Sequence, residues 1–104
     1  MEMLAKIAPF MRKAGMVVVG RERLFQLRNK LAYILITDDI SENTRQMVLE
    51  TFRCPVYQCL NSDDIEKLFN YKGTKLLGFR RSPMSNSALA DLRPFLVKKE
   101  ETVK

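Results

Sequence analysis

Apolar positions along this chain alternate between short unbroken runs and helical spacing. Four runs are typical of strands buried in a sheet, at residues 16–19, 32–36, 55–60 and 76–79. Around them, apolar residues recur every three or four positions, as on one face of a helix, over 1–14, 24–31, 47–52, 63–70 and 85–96. The alternation of helix and strand predicts an α/β sandwich, with helices on both faces of a small, buried sheet.

Polar residues, glycine and proline mark the expected ends of these elements. Gly15 suits the left-handed cap that ends the first helix, which either bends at Pro9 or begins near it. Ser41 is an N-cap candidate for the third helix, and Asp39 is expected against the positive end of that helix. Pro94 is expected to bend or shorten the last helix. With no linker or repeat, we predict one domain over residues 1–97 and a charged, unstructured tail over 98–104.

Gly20 lies at the junction between the first strand and a basic helix, and we expect a ligand there. A glycine at that junction lets the chain turn sharply and leaves the first amides of the helix uncovered. Such amides attract anions, phosphate above all. Arg21 and Arg23 follow directly on the first turn, so the sequence predicts a cationic site.

The charge of the chain is placed unevenly. Eighteen Lys and Arg against twelve Asp and Glu give a net charge of +6. Residues 1–36 hold seven basic and two acidic residues, and residues 70–104 hold eight basic and three acidic ones. Residues 37–69, in contrast, hold three basic and seven acidic residues. If the two outer thirds share a face, that face is strongly positive and favours nucleic acid, although a solvated, solubilising surface explains the same charge.

Ligands of α/β sheets gather where strands end and helices begin. The four predicted junctions of this kind are Val19–Arg23, Thr37–Ser41, Leu60–Ser62 and Phe79–Pro83. Two of them carry arginine pairs, Arg21 with Arg23 and Arg80 with Arg81. We therefore expect these two loops to contribute to one basic surface.

The residues offer little for catalysis or metal binding. The chain has no histidine, the usual base near neutral pH and the commonest metal ligand. Cys54 and Cys59 are expected on opposite faces of a strand, about 16 Å apart, and so read as small buried apolar residues rather than a disulfide or a zinc site. Asp38 and Asp39 could hold Mg²⁺ at a strand end, but helix capping is the simpler interpretation. We predict no enzyme activity, cofactor or metal.

Two segments resemble a known family: Lys13-Ala14-Gly15-Met16-Val17-Val18-Val19-Gly20, and Asp39-Ile40-Ser41-Glu42-Asn43-Thr44. They are similar to the kink-turn-binding ribosomal proteins, the L-seven-Ae and L-thirty-e group, and most similar to its small bacterial YlxQ-type members. The resemblance is clearest over residues 10–60. It implies a three-layer α/β/α fold with a four-stranded mixed sheet. It also implies RNA binding by the loop and helix after the first strand, helped by the loop after the fourth strand.

Carried onto this chain, the family's glycine is Gly20. The family places Asn or Lys, then Glu or Gln, at the second and third positions after it, where they read guanine edges in the kink; this chain has Glu22 and Arg23 there. General or differently targeted RNA binding is therefore expected, since arginine also reads guanine bidentately. The predicted RNA-binding residues are Lys13, Gly20, Arg21, Glu22, Arg23, Arg28, Arg80, Arg81 and Ser82.

The resulting prediction is a monomeric, cytoplasmic, non-enzymatic protein that binds structured RNA, a kink-turn or ribosomal RNA among the possible targets, alongside other ribonucleoprotein components. We expect no membrane partner and no small-molecule substrate, because no run approaches the roughly 18 apolar residues of a membrane span and no catalytic constellation is present. The alternative is a protein–protein adaptor of the same fold without RNA specificity.

Overall fold

The computed structural model of the chain describes residues 1–101. Its helices are α1 (Glu2–Lys13), α2 (Arg21–Gln26), α3 (Glu42–Thr51), α4 (Ser62–Phe69) and α5 (Pro83–Leu92), followed by a short 3-10 helix, Arg93–Phe95. Its strands are β1 (Val17–Val19), β2 (Leu31–Ile36), β3 (Val56–Gln58), β4 (Leu76–Arg80) and β5 (Leu96–Lys98). The predicted α/β class is confirmed, and all four predicted strands are present.

The strands form one mixed sheet in the order β1-β4-β2-β3-β5. β2 and β3 are parallel, whereas β4 runs antiparallel to both of its neighbours, β1 and β2. β2 occupies the centre of the sheet, as its five consecutive apolar residues from Ala32 to Ile36 predict. Because β4 is reversed, the loop after it lies at the end of the sheet where β1, β2 and β3 begin.

Helices cover both faces of the sheet, which gives the predicted three layers. On one face, α1, α4 and α5 pack against strand residues that include Tyr33 and Phe79. On the other face, α2 and α3 pack against residues that include Ile34 and Ile36. Alternate residues of β2 therefore enter opposite cores, because successive side chains of a strand point to opposite faces.

Gly78 in β4 allows α2 to approach the sheet closely. A Cβ atom at this position would lie 2.4 Å from Leu24 Cδ2 and 3.1 Å from both Leu31 methyl carbons. Both leucines are fully buried, so neither has space into which to move. The absence of a side chain at Gly78 thus sets the distance of α2, and of the turn that follows it, from the sheet.

An aromatic cluster holds the start of α5 on the opposite face. The Tyr33 ring stacks on Phe79 with a centroid distance of 4.8 Å and meets Tyr57 edge-on at 5.5 Å. The Tyr33 hydroxyl donates a hydrogen bond of 2.9 Å to the carbonyl oxygen of Ser85. A buried tyrosine needs such a partner, and here the bond ties the first turn of α5 to the central strand.

The C-terminal part differs from the prediction. The last helix ends at Leu92, and Phe95 and Leu96, expected on its buried stripe, lie half-exposed outside it. Pro94 shortens the helix as predicted, because it cannot donate a helical hydrogen bond. The chain then forms β5, a fifth strand paired with β3 in addition to the four predicted.

The folded part extends beyond the predicted boundary at residue 97. Lys98 is the last residue of β5, and its ammonium group donates hydrogen bonds to the carbonyl oxygens of Leu49 and Phe52. The amide of Glu101 donates to the carbonyl oxygen of Arg53 at 2.8 Å. Residues 98–101 of the predicted tail are therefore attached to the fold, while residues 102–104 lie outside the described residues.

α1 continues through Pro9 from Glu2 to Lys13, which rejects the second of the two predicted alternatives, a helix that begins near the proline. One boundary near the N-terminus differs from the prediction. Leu31, assigned by its spacing to the second helix, is instead the first residue of β2, since α2 ends at Gln26. Within residues 1–101, no helix combines the length and the apolar character that crossing a bilayer requires.

Candidate nucleic-acid interface

The two ends of the sheet carry different sets of predicted site residues. We call the end where β1, β2 and β3 finish and β4 begins the glycine end, because it contains Gly20. We call the other end, where β1, β2 and β3 begin and β4 finishes, the arginine end; Arg28, Arg53 and Arg81 lie there. The expectation that the Gly20 loop and the Arg80–Arg81 loop form one surface is wrong, because β4 runs antiparallel to β1.

Gly20 makes the sharp turn that leads from β1 into α2. Its backbone angles are φ +94° and ψ 128°, a region that side chains other than glycine rarely adopt. Its carbonyl oxygen accepts the first helical hydrogen bond from the Leu24 amide at 2.9 Å. A Cβ atom would meet no atom within 4 Å, so the space beside Gly20 is open. The turn therefore leaves the backbone accessible at the rim of a cleft.

The cleft beside Gly20 has a volume of about 470 Å³. Its lining includes two basic residues, Arg21 and Lys75, and the hydroxyl residues Ser41, Thr44 and Thr74, but no Asp or Glu. Hydroxyl, guanidinium and ammonium groups all donate hydrogen bonds to phosphate and sugar oxygens. The lining can thus bind an anionic or polyhydroxyl segment, and it contains no carboxylate that would repel an anion.

Arg21 is fixed in this cleft by a small hydrogen-bond network. Its Nη2 atom donates to Thr44 Oγ1 at 2.8 Å, and the Ser41 hydroxyl donates to the same oxygen at 2.9 Å. The Thr44 amide in turn donates to Ser41 Oγ at 3.3 Å, so Ser41 is the N-cap of α3 as predicted. Thr44 therefore joins the start of α3 to the first residue of α2.

Six acidic residues lie at the glycine end but do not line the cleft. The loops and first helical turns of the glycine end hold Glu22, Asp38, Asp39, Glu42, Asp63 and Asp64. Asp39 was expected at the start of α3, but its carboxylate instead accepts bonds from the Ser62 hydroxyl at 2.7 Å and the Ser62 amide at 3.1 Å, at the start of α4. These hydrogen bonds from Ser62 lower the pKa of Asp39 from about 3.8 to about 2.

Glu22 and Arg23, the positions that correspond to the family's guanine readers, are both exposed on α2. Glu22 lines a second cleft of about 410 Å³, together with Phe25, Met47 and Phe52. Phe25 is 50% exposed there. Among the residues predicted for RNA binding at this end, only Gly20 and Arg21 line the polar cleft.

At the arginine end, three arginines from separate segments, Arg28, Arg53 and Arg81, line one small cavity of about 170 Å³. Glu100 and Glu101 line the same cavity. The Arg28 guanidinium stacks on the Phe25 ring, with its central carbon 4.1 Å from the ring centroid, and donates a 2.8 Å bond to the Phe25 carbonyl oxygen. The connections into β1, β2 and β3 and out of β4 hold four basic residues, these three and Lys30, and no acidic one. This end is therefore the more positive of the two.

Three further predicted residues lie at the arginine end. Lys13 is exposed in the last turn of α1, and Arg80 is the half-buried last residue of β4. The Ser82 side chain is the N-cap of α5, since its Oγ accepts a 3.0 Å bond from the Ser85 amide. The predicted helix began at residue 85, and Ser82 was predicted to bind RNA; in the structure α5 begins at Pro83, directly after the Ser82 cap.

Three residues of these surfaces escaped the sequence analysis. Arg53 belongs to the acidic middle third of the chain, and only the fold brings it beside Arg28 and Arg81. Thr44 and Lys75 line the cleft with Gly20, although they lie 24 and 55 positions further along the chain. The signal that could have indicated Arg53 is its position just before a predicted strand, as for Lys30.

The two cysteines are buried on opposite faces of the sheet, as predicted, and both are free. Burial raises the pKa of each thiol to about 11, so neither is a thiolate at neutral pH. Within residues 1–101, no group of three or more Cys, Asp or Glu residues is arranged to hold a metal ion. The chemistry available at the two ends is thus the hydrogen bonding and charge of arginine, lysine and hydroxyl groups.

Comparison with known proteins shows similarity of fold. No family model and no curated protein matches this chain. Among solved structures, 22 chains match. One is a protein of unknown function from Bacillus halodurans, with a TM-score of 0.75 and 14% sequence identity, over 86% of this chain and 94% of the other. At that identity, the similarity establishes the shared α/β architecture.

Proposed function

We propose that this protein is a non-enzymatic RNA-binding protein of the cytoplasm, which holds structured RNA at the cleft beside Gly20. The observation that carries the proposal is the acid-free lining of that cleft, where Arg21 and Lys75 stand among three hydroxyl side chains. Acidic residues around the cleft weaken general attraction to polyanions, so contacts there must depend on fit. An RNA segment with splayed or distorted backbone offers such a fit, because its phosphates and sugars are presented at an irregular spacing.

Arg21 has a defined part in this proposal. Its guanidinium is held by Thr44 at 2.8 Å and still has donors free for a second acceptor. Arg23 lies two positions along α2, is exposed and does not line the cleft, so it would contact a base edge or phosphate of the RNA outside the cleft. Guanidinium groups bind phosphate and the guanine edge bidentately, which favours RNA over a neutral ligand.

Charge reversal in α2 tests the proposal. We expect Arg21→Glu and Arg23→Glu each to weaken binding of a labelled kink-turn RNA about tenfold or more, because each removes a contact and adds repulsion. The matched control is Lys6→Glu, an equal charge change on an exposed residue in the middle of α1, which should leave the affinity near that of the native protein. Equal affinity of all three variants for RNA would reject this surface.

A plain RNA duplex of the same length separates selective from general binding. We expect the native protein to prefer the kinked RNA, and this preference should survive between about 0.05 and 0.2 M salt, because contacts that depend on shape lose less affinity with added salt than phosphate contacts do. Equal and steeply salt-dependent binding of both RNAs would indicate a backbone binder. Failure of both RNAs to bind at low salt would reject RNA binding.

The adaptor alternative has one supporting observation of its own. Phe95, Leu96 and Val97 are 41%, 39% and 41% exposed, and two of them belong to β5, an edge strand of the sheet. Exposed apolar residues on an edge strand suit the addition of a strand from another protein. Binding of that kind would depend little on salt, which distinguishes it from the RNA proposal.

A further inference from the structure

The arginine end contains a cationic pocket remote from the Gly20 cleft. Arg28, Arg53 and Arg81 line its cavity of about 170 Å³ together with Asn29, and Glu100 and Glu101 belong to the same lining. A neighbouring cavity of about 280 Å³ shares Arg28, Asn29 and Arg53 and adds Thr51, without an acidic residue. The two cavities share three lining residues and so adjoin, and we call them together the trough.

The three guanidinium groups form no ion pair among residues 1–101. No carboxylate oxygen there lies within 4.0 Å of a side-chain nitrogen of Arg28, Arg53 or Arg81. Of the two glutamates in the lining, Glu101 is bound by the Lys98 ammonium at 2.6 Å, which leaves Glu100 against three arginines. The trough therefore carries a net positive charge and is complementary to negative charge.

The fold restricts the side chain of one of these arginines. Arg28 is held by the Phe25 ring and by the Phe25 carbonyl oxygen. For Arg53 and Arg81 the fold positions the backbone, because the Arg53 carbonyl oxygen accepts the Glu101 amide bond and Arg81 precedes the Ser82 cap of α5. Arg28 therefore loses less conformational entropy than a free arginine side chain when it binds an anion.

We propose that this trough is a second nucleic-acid site, which binds the phosphate backbone of an RNA stem while the Gly20 cleft holds another segment. The identification of the ligand as RNA rests on the proposed function. A phosphate backbone suits the trough better than an acidic protein segment, because the lining offers guanidinium and amide donors but no exposed apolar anchor of the kind that centres protein interfaces.

The two sites act on separate parts of the RNA because of their distance. They lie at opposite ends of β2, whose six residues span roughly 20 Å at about 3.3 Å per residue. That distance is about twice the Debye length at physiological ionic strength, so the charges at one end contribute little to attraction at the other. Simultaneous occupation therefore requires two RNA segments or one RNA that passes around the protein.

Charge reversals at Arg53 and Arg81 test the second site. Both side chains are exposed and make no hydrogen bond within residues 1–101, so Arg53→Glu and Arg81→Glu should leave the fold intact. We expect the double variant to bind a plain RNA duplex at least about tenfold more weakly than the native protein near 0.1 M salt, and its salt slope to fall by about two. Its preference for kinked over plain RNA should remain.

Two further variants sharpen the test. Lys6→Glu is the control for each single reversal, with the same change of charge away from both ends. Glu100→Gln removes an acidic residue from the border of the trough, so it should strengthen duplex binding, opposite in sign to the arginine variants. Circular dichroism and thermal unfolding of each variant confirm that the fold is retained.

Each result separates the second site from the first. If the arginine-end variants bind duplex like Lys6→Glu while Arg21→Glu loses kinked RNA, the second site is overturned and the proposed function stands. If the arginine-end variants alone lose duplex affinity, the second site is supported. If the native protein binds neither RNA at low salt, both proposals fail together.

Discussion

The glycine end and the arginine end both contain basic residues, but they differ in the balance of basic and acidic residues. At the glycine end, Arg21 and Lys75 line a cleft without acids, and six acidic residues lie in the loops and first helical turns of the same end. At the arginine end, the connections into β1, β2 and β3 and out of β4 hold four basic residues and no acid, and Glu100 and Glu101 line the cavity with three of these basic residues. The first arrangement suits a ligand recognised by fit and the second suits attraction to any phosphate backbone. The kind of ligand that a basic residue attracts thus depends more on the acidic and basic residues near it than on the net charge of the whole chain.

The two ends also differ in how their side chains are held. At the glycine end, capping bonds involve exposed groups: Ser41 with Thr44, Asp39 with Ser62, and Asn61 with Asp64. At the arginine end, the buried Ser85 donates from its amide to the half-buried Ser82 Oγ and from its hydroxyl to the Arg80 carbonyl oxygen, while the Tyr33 hydroxyl donates to the Ser85 carbonyl oxygen. The arginine end is therefore tied to the core more directly.

Substitution of Gly78 should affect both ends together and have the largest effect. We expect Gly78→Ala to lower the free energy of unfolding by about 1–3 kcal/mol, because its methyl group would overlap the buried Leu24 and crowd Leu31. Leu24 belongs to α2, which begins with Arg21 and precedes the Arg28 turn, so RNA binding at both ends should weaken. Urea unfolding and RNA titration measure the two effects.

Leu24→Ala combined with Gly78→Ala tests this packing explanation. The double variant should be more stable than the sum of the two single losses predicts, since the smaller side chain makes room for the added methyl group. Strictly additive losses would show that the approach of α2 to Gly78 is not the cause.

The N-caps of α3 and α5 should contribute differently to the free energy of unfolding, and this difference distinguishes the glycine end from the arginine end. Ser82→Ala is expected to cost about 1–2 kcal/mol and Ser41→Ala about 0.5–1 kcal/mol, because the Ser82 bond is shorter, at 3.0 Å against 3.3 Å, and less exposed. Ser87→Ala, at an exposed position within α5, is the control and should change stability little. Equal losses from the two caps would contradict the greater rigidity assigned to the arginine end.

The smallest effect on stability is expected from substitution of Asp39, which lies at the glycine end. This effect should depend on pH in the acid range. Since folding lowers the pKa of Asp39 from about 3.8 to about 2, its carboxylate adds stability above pH 4 that is lost as the pH falls toward 2. Asp39→Asn should therefore lower the Tm slightly at pH 7 and flatten the fall of Tm between pH 4 and pH 2. Asp38→Asn controls for the loss of one negative charge. An equally steep fall of Tm between pH 4 and pH 2 in Asp39→Asn and in the native protein would contradict this role of Asp39.

Much of the fold was predictable because its signals are local. The apolar run from Ala32 to Ile36 indicates a central strand, and Ser41 caps the helix that follows it, as expected. Gly20 was identified as a turn because only glycine readily adopts its positive φ. These features depend on neighbours within a few residues, which the sequence displays directly.

The candidate surfaces were predicted less well. Arg21 and Gly20 lie in the cleft as the turn suggested, but Lys75 and Thr44 come from distant segments. β5 was mistaken for the end of a helix, because Leu92, Phe95 and Leu96 keep helical spacing past Pro94. Its three residues form a strand only because the edge of β3 is available for pairing.

The sequence by itself determined the succession of the five helices and the first four strands, the turn at Gly20 and the excess of basic charge, since each follows from composition or from local spacing. Only the tertiary structure decided the direction of β4 and therefore the separation of Arg21 from Arg81 by the length of the sheet. It also placed Arg53, from the acidic third of the chain, beside Arg28 and Arg81. Strand direction depends on which edges pair after collapse, and that choice involves residues far apart in the chain.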